Sequence, residues 1–170
     1  MSETRKRIIK IAGWAAVAAC LTMIFLLSAE SASASAHRSH GIVRAVAEFI
    51  AGLFQKETAA EKAALIKTLD FLIRKIAHFS EFGLLGVLSS FTLLLYRFSV
   101  KIRLLLASSI CLAAAVGDEI HQIFVPGRSC EIRDMLIDFS GGLCGILLVA
   151  LAVFLVLRRR RKKAVKKAKK

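Results

Sequence analysis

Residues 135–170 read MLIDFSGGLCGILLVALAVFLVLRRRRKKAVKKAKK. From Met135 to Leu157 the stretch carries one charged residue, Asp138, and is otherwise apolar or small. About 20 apolar residues suffice to cross the hydrocarbon of a bilayer as a helix. A helix satisfies its own backbone hydrogen bonds, which lipid cannot do for it. The stretch therefore predicts a transmembrane helix. The remainder, Arg158 to Lys170, holds ten basic residues and no acid. Such a run stays out of hydrocarbon and is attracted to anionic lipid headgroups.

Upstream, three more segments are long and apolar enough to span: Ile8–Leu27, about Ile76–Tyr96 and about Ile102–Phe124. The second is interrupted by His78 and Glu81, and the third ends in Asp118, Glu119 and His121. The whole chain of 170 residues is 56% hydrophobic, with mean hydropathy +0.63 and a formal net charge of +14. Soluble domains are less apolar, about 45–50%, and disordered chains are poor in apolar residues. The expected fold is thus all-α: a polytopic membrane protein of four transmembrane helices with an outer amphipathic helical segment. It divides into an N-terminus of residues 1–7, a membrane domain of 8–157 and a polybasic tail of 158–170. The first span is longer than the 7–15 residues of a signal-peptide core, so it reads as an uncleaved anchor.

Basic residues set orientation by collecting on the cytoplasmic side. With four spans, the N-terminus, the connection carrying Arg97, Lys101 and Arg103, and the tail share one side. That side holds 17 basic residues against one acid, and the other nine against eleven. Both termini are therefore expected in the cytoplasm. The tail accounts for most of the excess charge, and it lacks the aromatic residues and the fold that would suit it to nucleic acid. No nucleic-acid partner is expected; the expected partners are the bilayer and anionic lipids at the tail.

The segment between the first two spans begins with Ser28 to Ala36, which reads as a flexible loop. Ile42, Val46, Phe49, Ile50 and Leu53 then fall at helical spacing, as do Leu65, Leu69, Leu72 and Ile76. These predict amphipathic helices on the membrane surface or over the mouth of the bundle. Thr58-Ala-Ala-Glu61 is a capping box placed to start a helix. Cys20, Cys111 and Cys144 lie in apolar runs, where a thiol acts as a small hydrophobe; Cys130 lies in a polar loop.

The topology gathers ionisable residues at one membrane depth. His78 and Glu81 are three apart on one helix face, and Arg74 extends that stripe by a turn. Asp118 and Gln122 are four apart, as are Asp134 and Asp138. Gly141 and Gly145 continue the latter face as a small-xxx-small pair suited to close helix approach, with Gly83 and Gly86 doing the same in the second span. Val125-Pro126-Gly127-Arg128 is a turn that presents Arg128 at the rim, where a guanidinium fork suits phosphate or carboxylate. Ionisable groups inside a membrane are costly and usually functional. The plainer alternative is an ion-pair network of Arg128 or Arg133 with Asp134 and Glu119 that holds the helices together. No cofactor is predicted. Two histidines and several carboxylates leave a divalent cation as an option, but no HExxH zinc motif is present.

Three blocks of residues carry a resemblance. Arg74-Lys75-Ile-Ala-His78-Phe79-Ser80-Glu81-Phe82, then Asp118-Glu119-Ile-His-Gln122-Ile-Phe124-Val-Pro126-Gly127-Arg128, then Arg133-Asp134-Met-Leu-Ile-Asp138-Phe-Ser-Gly141 strongly resemble the VanZ-like family of bacterial membrane proteins. The resemblance is strongest over residues 74–150. It implies a place in the cytoplasmic membrane of a bacterial cell, an envelope lipid or glycolipid as a further partner, and a link to resistance against the glycopeptide teicoplanin. It also marks His78, Glu81, Asp118, Glu119, Gln122, Arg128, Asp134 and Asp138 as characteristic polar positions. The expected function is an outward-facing polar pocket that binds or modifies an envelope lipid or glycolipid headgroup. Candidate catalytic residues are His78, Glu81, Asp118 and Glu119. Candidate ligand-binding residues are Arg74, Gln122, Arg128, Arg133, Asp134 and Asp138. The alternatives are a small transporter, which would need polar residues across the whole bundle, and a non-catalytic membrane scaffold.

Overall fold

The computed structural model describes residues 2–53 and 58–168, arranged as five helices. These are α1 (Glu3–Ser28), α2 (Ala32–Leu53), α3 (Ala59–Leu94), α4 (Val100–Gln122) and α5 (Ile132–Ala168). All except α2 are long and apolar enough to cross a membrane. The exposed apolar residues along them, such as Ile11, Phe91, Leu105 and Leu148, are the lipid-facing surface that such a bundle requires.

Helix starts reflect capping chemistry. Ser2 and Ser99 accept hydrogen bonds from the amides of Arg5 and Ile102 through their side chains. Thr58 and Glu61 form the reciprocal capping box the sequence predicts. The helix it starts runs 36 residues without a break. The apolar series Leu65, Leu69, Leu72 and Ile76 therefore belongs to the first half of α3, not to a separate surface helix; no Gly or Pro interrupts the chain between them.

The Ser/Ala-rich stretch is also not a loop. Only a short turn separates α1 from α2, and the Ser31 hydroxyl accepts the Ala34 amide at 3.2 Å to cap the new helix. Alanine, the strongest helix former, continues it. On α2 the buried stripe is Val43, Ala47 and Ala51, against α3, while Val46 and Phe49 face away. The face turned to the bundle is thus one step round from the expected one and built of smaller residues. The side chains of Ile42 and Leu53, and those of the tail from Val165 on, lie outside the described part.

The most extensive helix contact joins α3 and α5, and glycines set its distance. A Cβ on Gly86 would lie 2.2 Å from the Gly142 carbonyl oxygen, and one on Gly145 2.1 Å from that of Gly83. A Cβ on Gly141 would lie 2.2 Å from the Phe79 carbonyl oxygen. Backbone therefore packs on backbone, the close approach that small residues permit between membrane helices. The core beside this seam is Phe82, Leu85, Leu93, Cys111, Ala115 and Ile146, with Val17, Cys20 and Ile24 of α1.

The bundle has two unlike ends. At one, the Trp14 Nε1 donates to the Tyr96 hydroxyl at 2.9 Å, and the Lys10 ammonium sits 4.5 Å over the Tyr96 ring. The N-terminus and the α3–α4 turn lie there, and α5 runs out beside the start of α4 at the same end; this is the tail end. At the other, Phe25 of α1 packs on His121 of α4 at 4.3 Å between ring centroids. The α4–α5 loop folds back there and its Arg128 Nε donates to the Glu30 carbonyl at 3.3 Å. This is the cleft end.

Candidate functional site

A cleft of about 190 Å3 opens at this second end, between the middle of α3, the last turn of α4, the α4–α5 loop and the first turns of α5. The α3–α5 glycine seam positions it. Phe79, whose carbonyl meets Gly141, is the residue after His78, and Asp138 lies one turn before Gly141. Close helix approach thus places His78 and Asp138 face to face.

His78 is the hub. Its Nδ1 lies 3.7 Å from an Asp138 carboxylate oxygen and 4.0 Å from one of Asp118. One donor atom from each of these three residues lies within 4.8 Å of the others. The Gln122 amide nitrogen donates to Asp118 at 2.8 Å, one helical turn apart on α4. Glu119 is fully buried and accepts the Glu131 backbone amide at 2.7 Å. That bond fastens the loop to the end of α4.

Three buried carboxylate oxygens in the cleft have no hydrogen-bond partner: Asp134 Oδ1 and, on the two most deeply covered residues, Glu119 Oε1 and Asp138 Oδ2. Glu119 and Asp138 are 0% and 2% exposed. Leaving a buried polar group unsatisfied costs about 1–3 kcal/mol, and more when it is charged. An arrangement that retains such atoms in one cleft is poorly explained as helix glue.

The cations line the mouth. Lys75 pairs with Asp134 across α3 and α5. Arg133 pairs with Glu131 at 2.9 Å and approaches Asp134 at 3.9 Å. Both Lys75 and Arg133 lie over the Phe71 ring, at 5.3 and 5.4 Å, contacts in which the ring's negative face attracts the cation. Arg74 instead pairs with Asp70 on its own helix at 3.3 Å. Arg128, in the loop, is half-buried. Burial lowers its guanidinium below the ordinary arginine range, the nearby Arg74 charge adds to this, and Asp118, Asp134 and Glu119 oppose it. Gly127, with φ of 76°, makes the left-handed turn just before it, a conformation that glycine adopts without strain.

The cleft therefore brings together Arg74, His78, Glu119, Gln122, Arg128, Arg133, Asp134 and Asp138, with Asp118 directly behind His78. Glu81 is not among its walls. It lies one turn further along α3 on the side of α1, where the Cys20 thiol points to its carbonyl at 4.0 Å. The pairing of Glu119 with Arg128 or Arg133 is replaced by the Glu131 amide, and Asp134 takes Lys75 as its closest partner. Phe71, Lys75 and Glu131 are additional lining residues. Lys75 was within reach of spacing, since it lies three residues before His78.

This placement of the three polar blocks accords with one further finding. The sequence profile of the VanZ/LLP1 family matches residues 13–156. The chain belongs to the VanZ/LLP1 family. Together with its four candidate spans, this makes it a multi-pass membrane protein. Every residue lining the cleft lies inside the VanZ/LLP1 match, and the polybasic tail lies outside it. No curated protein and no solved structure shows significant similarity to the chain.

Proposed function

We propose that this VanZ-like protein sits in the bacterial cytoplasmic membrane with both termini in the cytoplasm. Its cleft then faces the envelope and binds the anionic headgroup of an envelope lipid or glycolipid. One observation carries the reading: Arg74, Lys75, Arg128 and Arg133, from two helices and a loop, converge on a single cleft. A guanidinium presents a rigid fork of donors matched to phosphate or carboxylate, and Arg128 is anchored for this by its bond to the Glu30 carbonyl. At about 190 Å3 the cleft is smaller than the roughly 300–1,000 Å3 of pockets that enclose drug-sized molecules. That size suits a headgroup whose acyl chains remain in the bilayer. The family's link to teicoplanin resistance supports an envelope ligand.

Native mass spectrometry of the detergent-extracted protein tests this. The wild type is expected to retain an anionic lipid, and Arg128→Ala to lose it, while substitutions in the tail leave it bound. Equal retention by Arg128→Ala would overturn the reading.

A hydrolytic step is a second reading, favoured by His78 lying between two carboxylates as an oriented base would. His78 and Glu119 would carry the protons. Release of phosphate from a phosphorylated lipid by reconstituted protein, lost in His78→Gln and Glu119→Gln, would support it; no turnover by the wild type would leave binding alone.

A further inference from the structure

We propose that His78, Asp118 and Asp138 ligate one divalent transition-metal ion at the floor of the cleft. The three donors come from α3, α4 and α5, so no single helix creates the grouping. Their contacts of 3.7 and 4.0 Å, within a group no wider than 4.8 Å, approximate the edges of a coordination polyhedron. Ligand bonds of about 2.0–2.2 Å give donor separations slightly shorter than this, so small side-chain rotations complete the site.

Two further observations point the same way. The buried Asp138 Oδ2 has no hydrogen-bond partner, and neither has Glu119 Oε1 in the same cleft. A cation held by His78, Asp118 and Asp138 satisfies Asp138 Oδ2. The formal charges also leave a deficit. Arg74 is matched by Asp70, Lys75 by Asp134, and Arg133 by Glu131. What is left is Arg128 against Asp118, Glu119 and Asp138, a surplus of two negative charges at a largely buried place. A dication balances that surplus, whereas unpaired buried carboxylates are expensive.

One imidazole with two carboxylates is a borderline donor set, fitted to Zn2+ or Mn2+ rather than to soft or strictly oxygen-bound metals. Gln122, bonded to Asp118, acts as a positioning residue that orients a ligand. Three protein ligands leave coordination positions open, as catalytic rather than structural sites do. The ion also removes a conflict. A cleft floored by carboxylates repels an anionic headgroup, and a dication at that floor attracts it. This bridging role rests on the headgroup reading; ion binding itself does not.

The test uses the full-length chain without an affinity tag of histidines, stripped with a chelator and titrated separately with Zn2+ and Mn2+. One ion per chain is expected. Asp138→Asn and Asp118→Asn, both close in shape, are expected to weaken binding by at least the roughly 10- to 100-fold that loss of an outer-shell partner produces. Gln122→Ala should fall within that range, and His37→Gln, exposed on α2, should bind as the wild type does. Bound Mn2+ should show spin-echo modulation from one imidazole nitrogen, absent in His78→Gln. Either no ion bound by the wild type, or Asp138→Asn and Asp118→Asn binding like the wild type, overturns the proposal. If the ion binds but its removal leaves lipid retention unchanged, only the bridging role fails.

Discussion

The two ends of the bundle carry charge in opposite ways. At the tail end, positive charge is abundant and exposed. Its ordered contacts include the Lys10 ammonium over Tyr96 and the Trp14–Tyr96 hydrogen bond. At the cleft end, acids and bases are interleaved, and several are buried: Asp118, Glu119 and Asp138 are almost wholly covered. Exposed charges in water interact weakly, so the tail end can lose a charge without losing its structure. Buried charges interact strongly and are costly alone. Charge of the first kind sets orientation and attraction to lipid. The second kind, held at fixed distances, can recognise a ligand. The large net charge of the chain therefore says little about its function, and the near-cancellation at the cleft says much.

The contrast can be broken most severely at the seam that holds the cleft. Gly145→Leu places a side chain against the Gly83 carbonyl. Overpacking usually costs about 1–3 kcal/mol, and a backbone partner cannot move aside as a side chain can. The variant is expected to lose most of its folded population in detergent, read by thermal unfolding, and the cleft with it. A Gly41→Leu control, where nothing lies within 4 Å, should leave unfolding unchanged.

Next in size is the bridge between α3 and α5. Lys75→Ala leaves Asp134, mostly covered, with only the longer 3.9 Å contact to Arg133. A loss of about 1–3 kcal/mol is expected, below the roughly 3–5 kcal/mol of a fully buried pair because both ends keep some contact with solvent. Arg74→Ala breaks only a pair within one helix, worth about 0.3–0.5 kcal/mol. Denaturation of the two variants side by side checks the ranking; equal losses would contradict the assignment of Lys75 as the interhelical cation.

A smaller effect belongs to the tail end. Tyr96→Phe removes the acceptor of the Trp14 hydrogen bond, at a cost of about 0.5–1.5 kcal/mol, and should leave lipid retention at the cleft unchanged. The smallest effect on stability is expected from replacing Arg158–Lys163 with glutamine. Vesicle flotation should show weaker attachment to anionic surfaces, with unfolding temperature unaltered.

Much of this was legible in the sequence, and the parts that were not share a cause. Hydropathy located the four spans because lipid imposes length and apolarity on each segment independently. The Thr58 capping box and the Gly141–Gly145 spacing were readable because both act within a few residues. Helical spacing chose Arg74 over Lys75, but the partner that decides between them, Asp134, is 59 residues away. The bond that holds Glu119 comes from a backbone amide, which every residue except proline possesses and no side-chain pattern reveals. Glu81 shares a helical stripe with His78, yet one further turn along α3 brings it beside α1 instead of the cleft. Spacing reports which face a residue takes, and only packing reports what that face meets.

The proposed orientation puts the two ends in opposite compartments, with the cleft away from the cytoplasm. Cys130 tests this most directly. It is exposed, sits in the α4–α5 loop at the cleft end, and differs from Cys20 and Cys111, which are buried. In a variant that keeps Cys130 and has Cys144 replaced by Ala, intact cells are treated with a membrane-impermeant maleimide. Labelling of Cys130 in intact cells is the expected result. Labelling only after the membrane is permeabilised would place the cleft in the cytoplasm and contradict the orientation.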